Sequence, residues 1–132
     1  MEAKKLDITY FPQKDILSMI ILPPRPAVMG ITDHGFLVGY DQDNEDEIVS
    51  FEILDFATYF MPHLHEPGVV PEIDLRFDVQ VSEPVTEPGR ERYFKVVGTG
   101  PTNATLLEVL EWAYRELVLK RIPELSPQLV RA

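Results

Sequence analysis

The sequence contains no cysteine among its 132 residues. Disulfide bonds, thiolate nucleophiles, thiolate zinc sites and iron–sulfur clusters are therefore excluded. A bound metal would have to be held by histidines and carboxylates. We expect no cofactor, with a divalent cation as the one alternative.

Long hydrophobic runs are also missing. The longest apolar run, residues 16–22, is interrupted by Ser18 and is far shorter than the roughly 20 residues that a membrane-spanning helix needs. The first ten residues carry charges and then a strand pattern, without the apolar stretch of a signal peptide. The sequence therefore predicts a cytoplasmic protein that does not contact a membrane.

Basic residues are scarce: 12 Lys and Arg stand against 22 Asp and Glu, which gives a net charge of −10. A field of that sign repels phosphate backbones, so nucleic acid is not an expected partner, whereas a basic protein is. The hydrophobic content of 45% is enough for one core in a chain of this length. We therefore predict a single domain over residues 1–132.

Period-two patterns predict several strands. LDITYF at residues 6–11 alternates apolar and polar positions, and EIDLRFDVQV at residues 72–81 does so without interruption. ILSMIIL at residues 16–22 is apolar at nearly every position, which predicts a central strand with both faces covered. GFLVGYD and EIVSFEILD, residues 35–41 and 47–55, predict a hairpin with a long charged loop. The proline-rich residues 23–30 predict an extended connector instead.

Helical periods appear twice. Residues 56–64 predict one or two helical turns that end near Pro62. From Thr105 the apolar residues recur with a 3.6-residue period, and Thr105 and Glu108 have the spacing of a capping box. We predict a helix that begins there and ends before Pro123. The predicted fold class is α+β: an antiparallel sheet of about six strands with the C-terminal helix packed on one face.

The predicted organisation follows the order of these elements. A β-meander is expected over residues 6–57. A helical turn, a β-hairpin formed by residues 72–81 and 92–98, and the C-terminal helix are expected over residues 58–122. The last ten residues, 123–132, contain two prolines and are predicted to form a tail along the surface.

The first half of the chain carries a distinctive order of residues: Tyr10, Asp15 and Leu17, then Tyr40 and Asp41, then Glu52, Ile53, Leu54, Asp55 and Ala57. In order, spacing and strand character, residues 6–57 resemble a family of small bacterial proteins grouped as a domain of unknown function. The family reads roughly as Tyr-x4-Asp-x-Leu, a strand, Asp-Tyr-Asp, an acidic turn and a strand that ends in Glu-Ile-Leu-Asp. The chain departs from that pattern at Phe11, Ser18, Gly39 and Ser50.

This resemblance implies a meander of four antiparallel strands. It implies no activity, because the family's own function is unknown. Such small proteins are similar to ones found beside toxin-like partners, which suggests a neutralising binder as one hypothesis.

Residues 41–52 have the acidic spacing of a calcium-binding loop. Asp41, Asp43 and Glu45 fall on positions 1, 3 and 5 of that loop, and Glu52 falls on position 12. Position 6 requires glycine for its bend, and this chain has Asp46 there. The flanking residues also have the pattern of strands rather than helices. A solvated hairpin turn explains the acidity better, and Asp41, Asp43 and Glu45 stay as candidate cation ligands.

His63 and His65 lie two residues apart, with Glu66 adjacent, so on an extended segment their side chains point to the same side. Imidazole and carboxylate groups bind zinc and iron, which makes this loop a candidate metal site. No fixed-spacing motif such as H-E-x-x-H supports the hypothesis, and Pro62 and Pro67 bracket the segment. Surface histidines are therefore the favoured interpretation.

The apolar surface predicted for the chain exceeds what one helix covers. Trp112 and Leu119 lie on one side of the C-terminal helix, away from its main apolar stripe. Met19 and Ile21 lie in the doubly apolar strand. We predict a homodimer, with these four residues as its candidate interface.

Two classes of function stay open. The first is a non-catalytic, acidic, cytoplasmic protein-interaction module, including a neutralising partner of a basic protein. The second is a metal-dependent or small-ligand-binding enzyme that uses the His63/His65 loop and the acidic turn. No serine or cysteine stands in the context of a nucleophile elbow. This favours the first class and leaves any catalytic residue unidentified.

Overall fold

The computed structural model describes residues 2–31, 34–85, 89 and 93–121. In this part of the chain, seven strands form one sheet. They are β1 (Lys4–Phe11), β2 (Ile16–Ile21), β3 (Ala27–Ile31), β4 (Phe36–Asp41), β5 (Asn44–Ile53), β6 (Phe77–Val85) and β7 (Tyr93–Thr99). Their order across the sheet is β3-β4-β5-β2-β1-β6-β7. The strand expected at the centre, β2, does lie in the middle of the sheet.

The sheet is mixed, which corrects the prediction of an antiparallel sheet of about six strands. β1 and β6 run parallel, with Leu6 opposite Val79 and Ile8 opposite Val81. The other neighbouring pairs are antiparallel. After β5 the chain passes through residues 54–76 and reaches the far side of β1 before β6 begins. Period-two patterns fix the face of each side chain but not the direction of the neighbouring strand, so the sequence did not reveal this pairing.

Two helical segments accompany the sheet within the described residues. The first is a π-helical turn (Phe56–Phe60) followed by a 3-10 turn (Met61–His63). The second begins with α1 (Leu106–Ala113) and continues as a π-helical turn (Tyr114–Val118) and a 3-10 turn (Leu119–Arg121). None of the helices in the described ranges is long and apolar enough to cross a membrane.

The predicted capping box at the start of α1 is confirmed. Thr105 Oγ1 accepts a hydrogen bond from the Glu108 backbone N–H at 3.2 Å. The Thr105 backbone N–H donates to Glu108 Oε1 at 3.0 Å. This local signal identifies the helix start correctly. The predicted helix end before Pro123 and the tail over residues 123–132 lie outside the described residues.

The core lies between one face of the sheet and the two helical segments. Five buried phenylalanines, Phe36, Phe51, Phe56, Phe60 and Phe77, form its aromatic centre. The ring of Phe36 lies 5.8 Å from that of Phe51 and 5.7 Å from that of Phe60. These contacts attach the first helical segment to β4 and β5. Leu106, Val109, Leu110 and Ala113 bring the buried stripe of α1 into the same core.

The opposite face of the sheet has no helix on it within the described residues. Side chains alternate between faces along a strand, so residues between the core positions lie there. We call this surface the helix-free face. It comprises Asp7, Thr9 and Phe11 of β1, Ile16, Ser18 and Ile20 of β2, Ala27, Met29 and Ile31 of β3, Leu37 and Gly39 of β4, Ser50 and Glu52 of β5, Gln80, Ser82 and Pro84 of β6, and Phe94 and Val96 of β7. The 2.6 Å hydrogen bond from Ser82 Oγ to Asp7 Oδ1 and the edge-to-face contact of Phe11 with Phe94 join side chains across it.

Three strand predictions need correction. Residues 72–76 belong to no strand, and β6 begins at Phe77. The connection between β4 and β5 is the short turn of Gln42 and Asp43 rather than a long charged loop. Residues 27–30, expected as part of a connector, lie in the edge strand β3 (Ala27–Ile31). Most of the predicted turn between β6 and β7 lies outside the described residues.

Candidate functional site

The carboxylate of Asp15 joins β1 to the first helical segment. Its Oδ1 accepts hydrogen bonds from Tyr10 Oη at 2.7 Å and from the Ala57 N–H at 2.9 Å. Its Oδ2 accepts from the Thr58 N–H at 3.0 Å and from Thr58 Oγ1 at 2.8 Å. The first N–H groups of a helix have no partner within the helix. Asp15 therefore caps this segment from far away in the sequence.

Several residues that carry the resemblance to the small bacterial family have a structural role here. Tyr10, Asp15, Asp55 and Ala57 meet at this junction. Asp15 and Asp55 adopt positive φ angles of 54° and 50°, which aspartate tolerates better than most residues. Each oxygen of Asp15 already accepts two hydrogen bonds, so the carboxylate is committed to the fold and not to a ligand.

The buried Tyr10 predicts a loss of stability in alkali. Burial raises the pKa of the Tyr10 phenol well above its ordinary value, and the hydrogen bond and charge of Asp15 raise it further. The folded protein thus holds this proton more tightly than the unfolded chain. The contribution to stability is complete below about pH 10 and decreases as the pH rises above that value.

The Tyr10→Phe variant measures this contribution, because the remaining tyrosines and lysines are common to both proteins. We expect the free energy of unfolding, measured by urea denaturation between about pH 8 and about pH 11, to fall less steeply in the variant than in the wild type. Curves that stay parallel above about pH 10 would show that the phenol is not held in its protonated form.

A second charged cluster lies beside the β4–β5 turn. Arg25 Nη1 donates to Asp41 Oδ2 at 2.9 Å, and Arg25 Nη2 donates to Glu47 Oε1 at 2.6 Å. Asp41 also accepts from the Asp43 N–H at 2.8 Å, which closes the turn. The hydrogen bond with Glu47 raises the pKa of Arg25, and the same bond lowers the pKa of Glu47. Asp41 therefore has an internal cation as its partner.

The predicted metal ligands are not brought together. Asp41 is buried against Arg25, whereas Asp43 and Glu45 are exposed at the turn. His63 ends the first helical segment, and His65 follows it. Across the described ranges, no group of three or more His, Asp or Glu side chains is placed to hold a metal ion. A cation at Asp41 would have to displace Arg25.

His63 belongs to a small ring cluster with His34 and Tyr59. The ring centroids of Tyr59 and His63 are 4.5 Å apart, and His34 lies 6.3 Å from each of them. His63 Nδ1 lies 2.8 Å from the Tyr59 carbonyl oxygen, which requires Nδ1 to carry the proton and donate it. His63 Nε2 lies 3.7 Å from Glu66 Oε2. These are the contacts of a side chain that covers the last carbonyls of a helical segment.

The four predicted interface residues have different environments. Met19 and Ile21 are buried in the core, so their prediction as interface residues is wrong; on β2 their side chains point towards the helices. Trp112 packs over Gly100, where an added Cβ atom would lie 2.8 Å from the ring. Leu119 is exposed, and its role at an interface stays a prediction.

The exposed apolar side chains concentrate at the two edges of the sheet. Val28 and Ile31 on β3 are 62% and 69% exposed, and Phe94 and Val96 on β7 are 55% and 53% exposed. Sequence reasoning missed both edges because periodicity does not reveal strand order. One signal was present for β3: its sequence AVMGI contains no charged residue, although 26% of the chain is charged.

Two open cavities lie elsewhere on the surface, and one of them borders the helix-free face. A groove of about 440 Å³ lies at one end of the helix-free face, with Phe11, Pro12, Lys14, Ile16, Glu52 and Pro84 in its lining. A second cavity of about 340 Å³ lies beside Lys4 and Arg25. Both volumes lie within the range of small-molecule sites. The first groove extends the helix-free face with a recess.

Comparisons with known proteins gave no match: no family model, curated protein or solved structure matches this chain. The resemblance of residues 6–57 to the small bacterial family therefore stays a prediction. The function has to be inferred from the chain's own surfaces.

Proposed function

We propose that this protein is a non-catalytic protein-interaction domain that binds its partner on the helix-free face of the sheet. The proposal rests on the packing of both helical segments against the same face of the sheet. Both helical segments contribute to the core on one face, and the other face presents aliphatic, aromatic and hydroxyl side chains. A sheet face with this composition is suited to a second macromolecule.

The chemistry of the helix-free face favours a basic partner. Asp7 and Glu52 place carboxylates among its apolar and hydroxyl side chains, and the whole chain carries a net charge of −10. In protein complexes the apolar centre supplies most of the affinity, whereas complementary charge speeds association and selects the partner. A partner with lysine or arginine side chains around an apolar patch fits both requirements.

The helix-free face has the extent of a specific interface. Strands spaced about 4.8 Å apart, each about six residues long, cover roughly 30 Å by 20 Å, or on the order of 600 Å². A standard interface buries roughly 800 Å² on each partner. The groove of about 440 Å³ beside Phe11 adds a recess for a partner side chain.

The groups that sequence reasoning offered to an enzyme are engaged in the fold. Of those groups, Asp41 binds Arg25 and His63 contacts the backbone of Tyr59. These commitments support the interaction module over the metal-dependent enzyme. A neutralising role towards a basic protein is one form that this function takes.

A charge placed at the centre of the helix-free face tests the proposal. Ser18 lies there between Thr9 and Glu52. The Ser18→Arg variant puts a large cation where a basic partner has to approach. The matched control is Leu107→Arg, which adds the same charge at an exposed position on α1.

Wild-type and variant proteins are immobilised and exposed to a lysate of the source cells, and the captured proteins are identified by mass spectrometry. We expect a basic protein to bind equally to the wild type and to Leu107→Arg, and about tenfold less to Ser18→Arg. A partner that is lost with Leu107→Arg but retained by Ser18→Arg would place the binding surface on the helical side and refute the proposal.

A further inference from the structure

We infer that two copies of this protein pair through their β3 edges, so that their sheets join into one continuous sheet across a twofold axis. The surface involved is the open edge of Ala27–Ile31, which we call the β3 edge. The inference stands apart from the proposed function, because it does not depend on which partner binds the helix-free face.

The β3 edge lacks the devices that protect edge strands. Within the described residues no strand lies beyond it, and all of its residues are exposed. Soluble proteins usually protect an edge with a charge, a proline or a β-bulge inside the strand. Residues 27–31 contain no charge and no proline, and their register with β4 runs without a shift. An extended strand can therefore pair there without obstruction.

The other edge of the sheet differs. β7 contains Lys95, and its register with β6 shifts between Val81 and Ser82, which leaves Val97 as a bulged residue. A bulge twists an edge and interrupts the even spacing of its hydrogen-bonding groups. β7 is thus protected in two ways, and β3 is the edge suited to pairing.

The β3–β4 ladder determines which backbone groups of β3 point outward. The Gln42 N–H donates to the Pro26 carbonyl oxygen at 3.3 Å, and hydrogen-bonded pairs alternate along an antiparallel ladder. Val28 and Gly30 therefore direct their N–H and C=O groups towards β4. Residues 27, 29 and 31 direct theirs towards the open edge, where the described part of the chain places no strand.

A twofold axis through Met29 uses all of these outward groups. Met29 then faces the partner subunit's Met29, and Ala27 faces the partner's Ile31. Each facing pair exchanges two hydrogen bonds in an antiparallel ladder. An axis through Val28 or Gly30 leaves Ile31 or Ala27, respectively, without a facing residue in the strand. The axis through Met29 is therefore the best register.

The side chains fit the same register. Val28 faces the partner's Gly30, and a Cβ atom added at Gly30 would meet no atom closer than 3.9 Å, so the valine has room. A cavity of about 270 Å³ lined by Val28, Gly30 and Tyr40 lies at the same place. On the helix-free face, Ile31 meets the small Ala27. Each large residue thus faces a small one, and flexible Met29 packs against its own copy.

The size and charge of this contact set its strength. Strands of this length bury less surface than a standard interface, so we expect a reversible equilibrium between monomer and dimer. Each copy carries a net charge of −10, so salt favours the dimer by screening the repulsion.

The mass of the full chain in solution tests the inference. By analytical ultracentrifugation at up to about 500 μM, we expect the mass to rise from 15.1 kDa towards twice that value. Met29→Lys places two ammonium groups opposite each other at the axis, so this variant should stay monomeric. Val96→Lys adds the same charge to the exposed β7 edge and should dimerise like the wild type.

Disulfide crosslinking tests the register independently of these charges. The chain has no cysteine, so a single introduced thiol reports contact with its own copy. The Cα atoms of a hydrogen-bonded pair lie about 5.5 Å apart, which suits a disulfide. Mild oxidation should crosslink Met29→Cys to itself. Ile31→Cys should not crosslink to itself but should crosslink to Ala27→Cys.

Several results would overturn the inference. The wild type staying at 15.1 kDa over the whole concentration range is one, and a dimer that survives in Met29→Lys is another. Equal loss of the dimer in Met29→Lys and Val96→Lys would show that added charge, and not the β3 edge, controls association. Crosslinking of Ile31→Cys to itself without crosslinking of Met29→Cys would refute the register.

Discussion

The Asp15→Asn variant is expected to be less stable than the wild-type protein by about 2–3 kcal/mol. Asparagine has nearly the same size as aspartate and tolerates the φ of 54° at this position, so the backbone strain is unchanged. The amide retains one acceptor oxygen, and its nitrogen is a donor. In the wild type, each carboxylate oxygen accepts hydrogen bonds from N–H or O–H groups. In the variant, the amide nitrogen takes the place of one of these oxygens, so that donor faces donor.

The consequence reaches the first helical segment. Without the second oxygen, the Thr58 N–H and Oγ1, or the Ala57 N–H and Tyr10 Oη, lose their acceptor. The bonds of Tyr10 and Ala57 are partly buried and those of Thr58 are exposed, and hydrogen bonds to a charged acceptor are worth about 1.5–3 kcal/mol, more than those to a neutral amide. We therefore expect the amide protons of Ala57 and Thr58 to exchange with solvent faster in the variant.

Asp55→Asn is the matched control. Asp55 also adopts a left-handed conformation, with φ 50°, but its side chain makes no capping hydrogen bond. Urea denaturation should show a change of less than about 0.5 kcal/mol for Asp55→Asn. Equal losses in the two variants would mean that the loss of an acidic charge, and not the hydrogen bonds accepted by Asp15, causes the change.

The features predicted correctly from the sequence depend on residues that lie close together in the chain. The capping box needs Thr105 and Glu108, three residues apart, and the backbone between them brings the two side chains together. The faces of β1 follow from the alternation in residues 6–11. The apolar run of β2 predicted only part of its environment correctly: the strand lies at the centre of the sheet, but Ile16, Ser18 and Ile20 lie on the helix-free face, so within the described residues its two faces are not both covered.

The features that were missed depend on contacts between distant residues. The alternating residues 72–76 have the pattern of a strand, yet the ladder with β1 begins at Lys4 and Phe77. Alternation describes the two faces of an extended segment but supplies no hydrogen-bonding neighbour. The edge strand β3 was missed for a related reason, because the prolines that precede it dominated the interpretation of residues 23–30.

The contacts at the candidate site also divide into those between residues close in the chain and those between distant residues. Tyr10 and Asp15 lie five residues apart, and their association is within reach of a sequence argument. The contacts of Asp15 with Ala57 and Thr58 join residues more than 40 positions apart, and periodicity carries no information about them. Arg25 lies 16 residues before Asp41. The calcium-loop template covers only residues 41–52, so it did not include the arginine that neutralises Asp41.

The two proposed surfaces reinforce each other if both are correct. A twofold axis perpendicular to the sheet places the helix-free faces of both copies on the same side. A partner with two or more basic sites then meets two binding surfaces at a fixed separation, which raises the overall affinity without any new contact. Under these two proposals, the β3 edge would control the valence of the complex and the helix-free face its specificity.

The Phe77→Ala variant is expected to lose about 3–5 kcal/mol of stability, a large part of the total for a domain of this size. Phe77 is completely buried, and its ring meets that of Phe51 edge to face at 6.1 Å. It opens β6 at the parallel junction with β1, and its backbone exchanges two hydrogen bonds of 2.9 Å with Ala104. Removing the ring leaves a cavity where β1, β6 and the approach to α1 meet.

Phe94→Ala removes the same atoms from the exposed strand β7 and is expected to cost less than about 1 kcal/mol. Urea denaturation of both variants, with the wild type as reference, measures the two losses under one set of conditions. The comparison also tests the strand assignment. If residues 72–81 formed one strand with its apolar side on the surface, both phenylalanines would give small losses, and the parallel junction would be refuted.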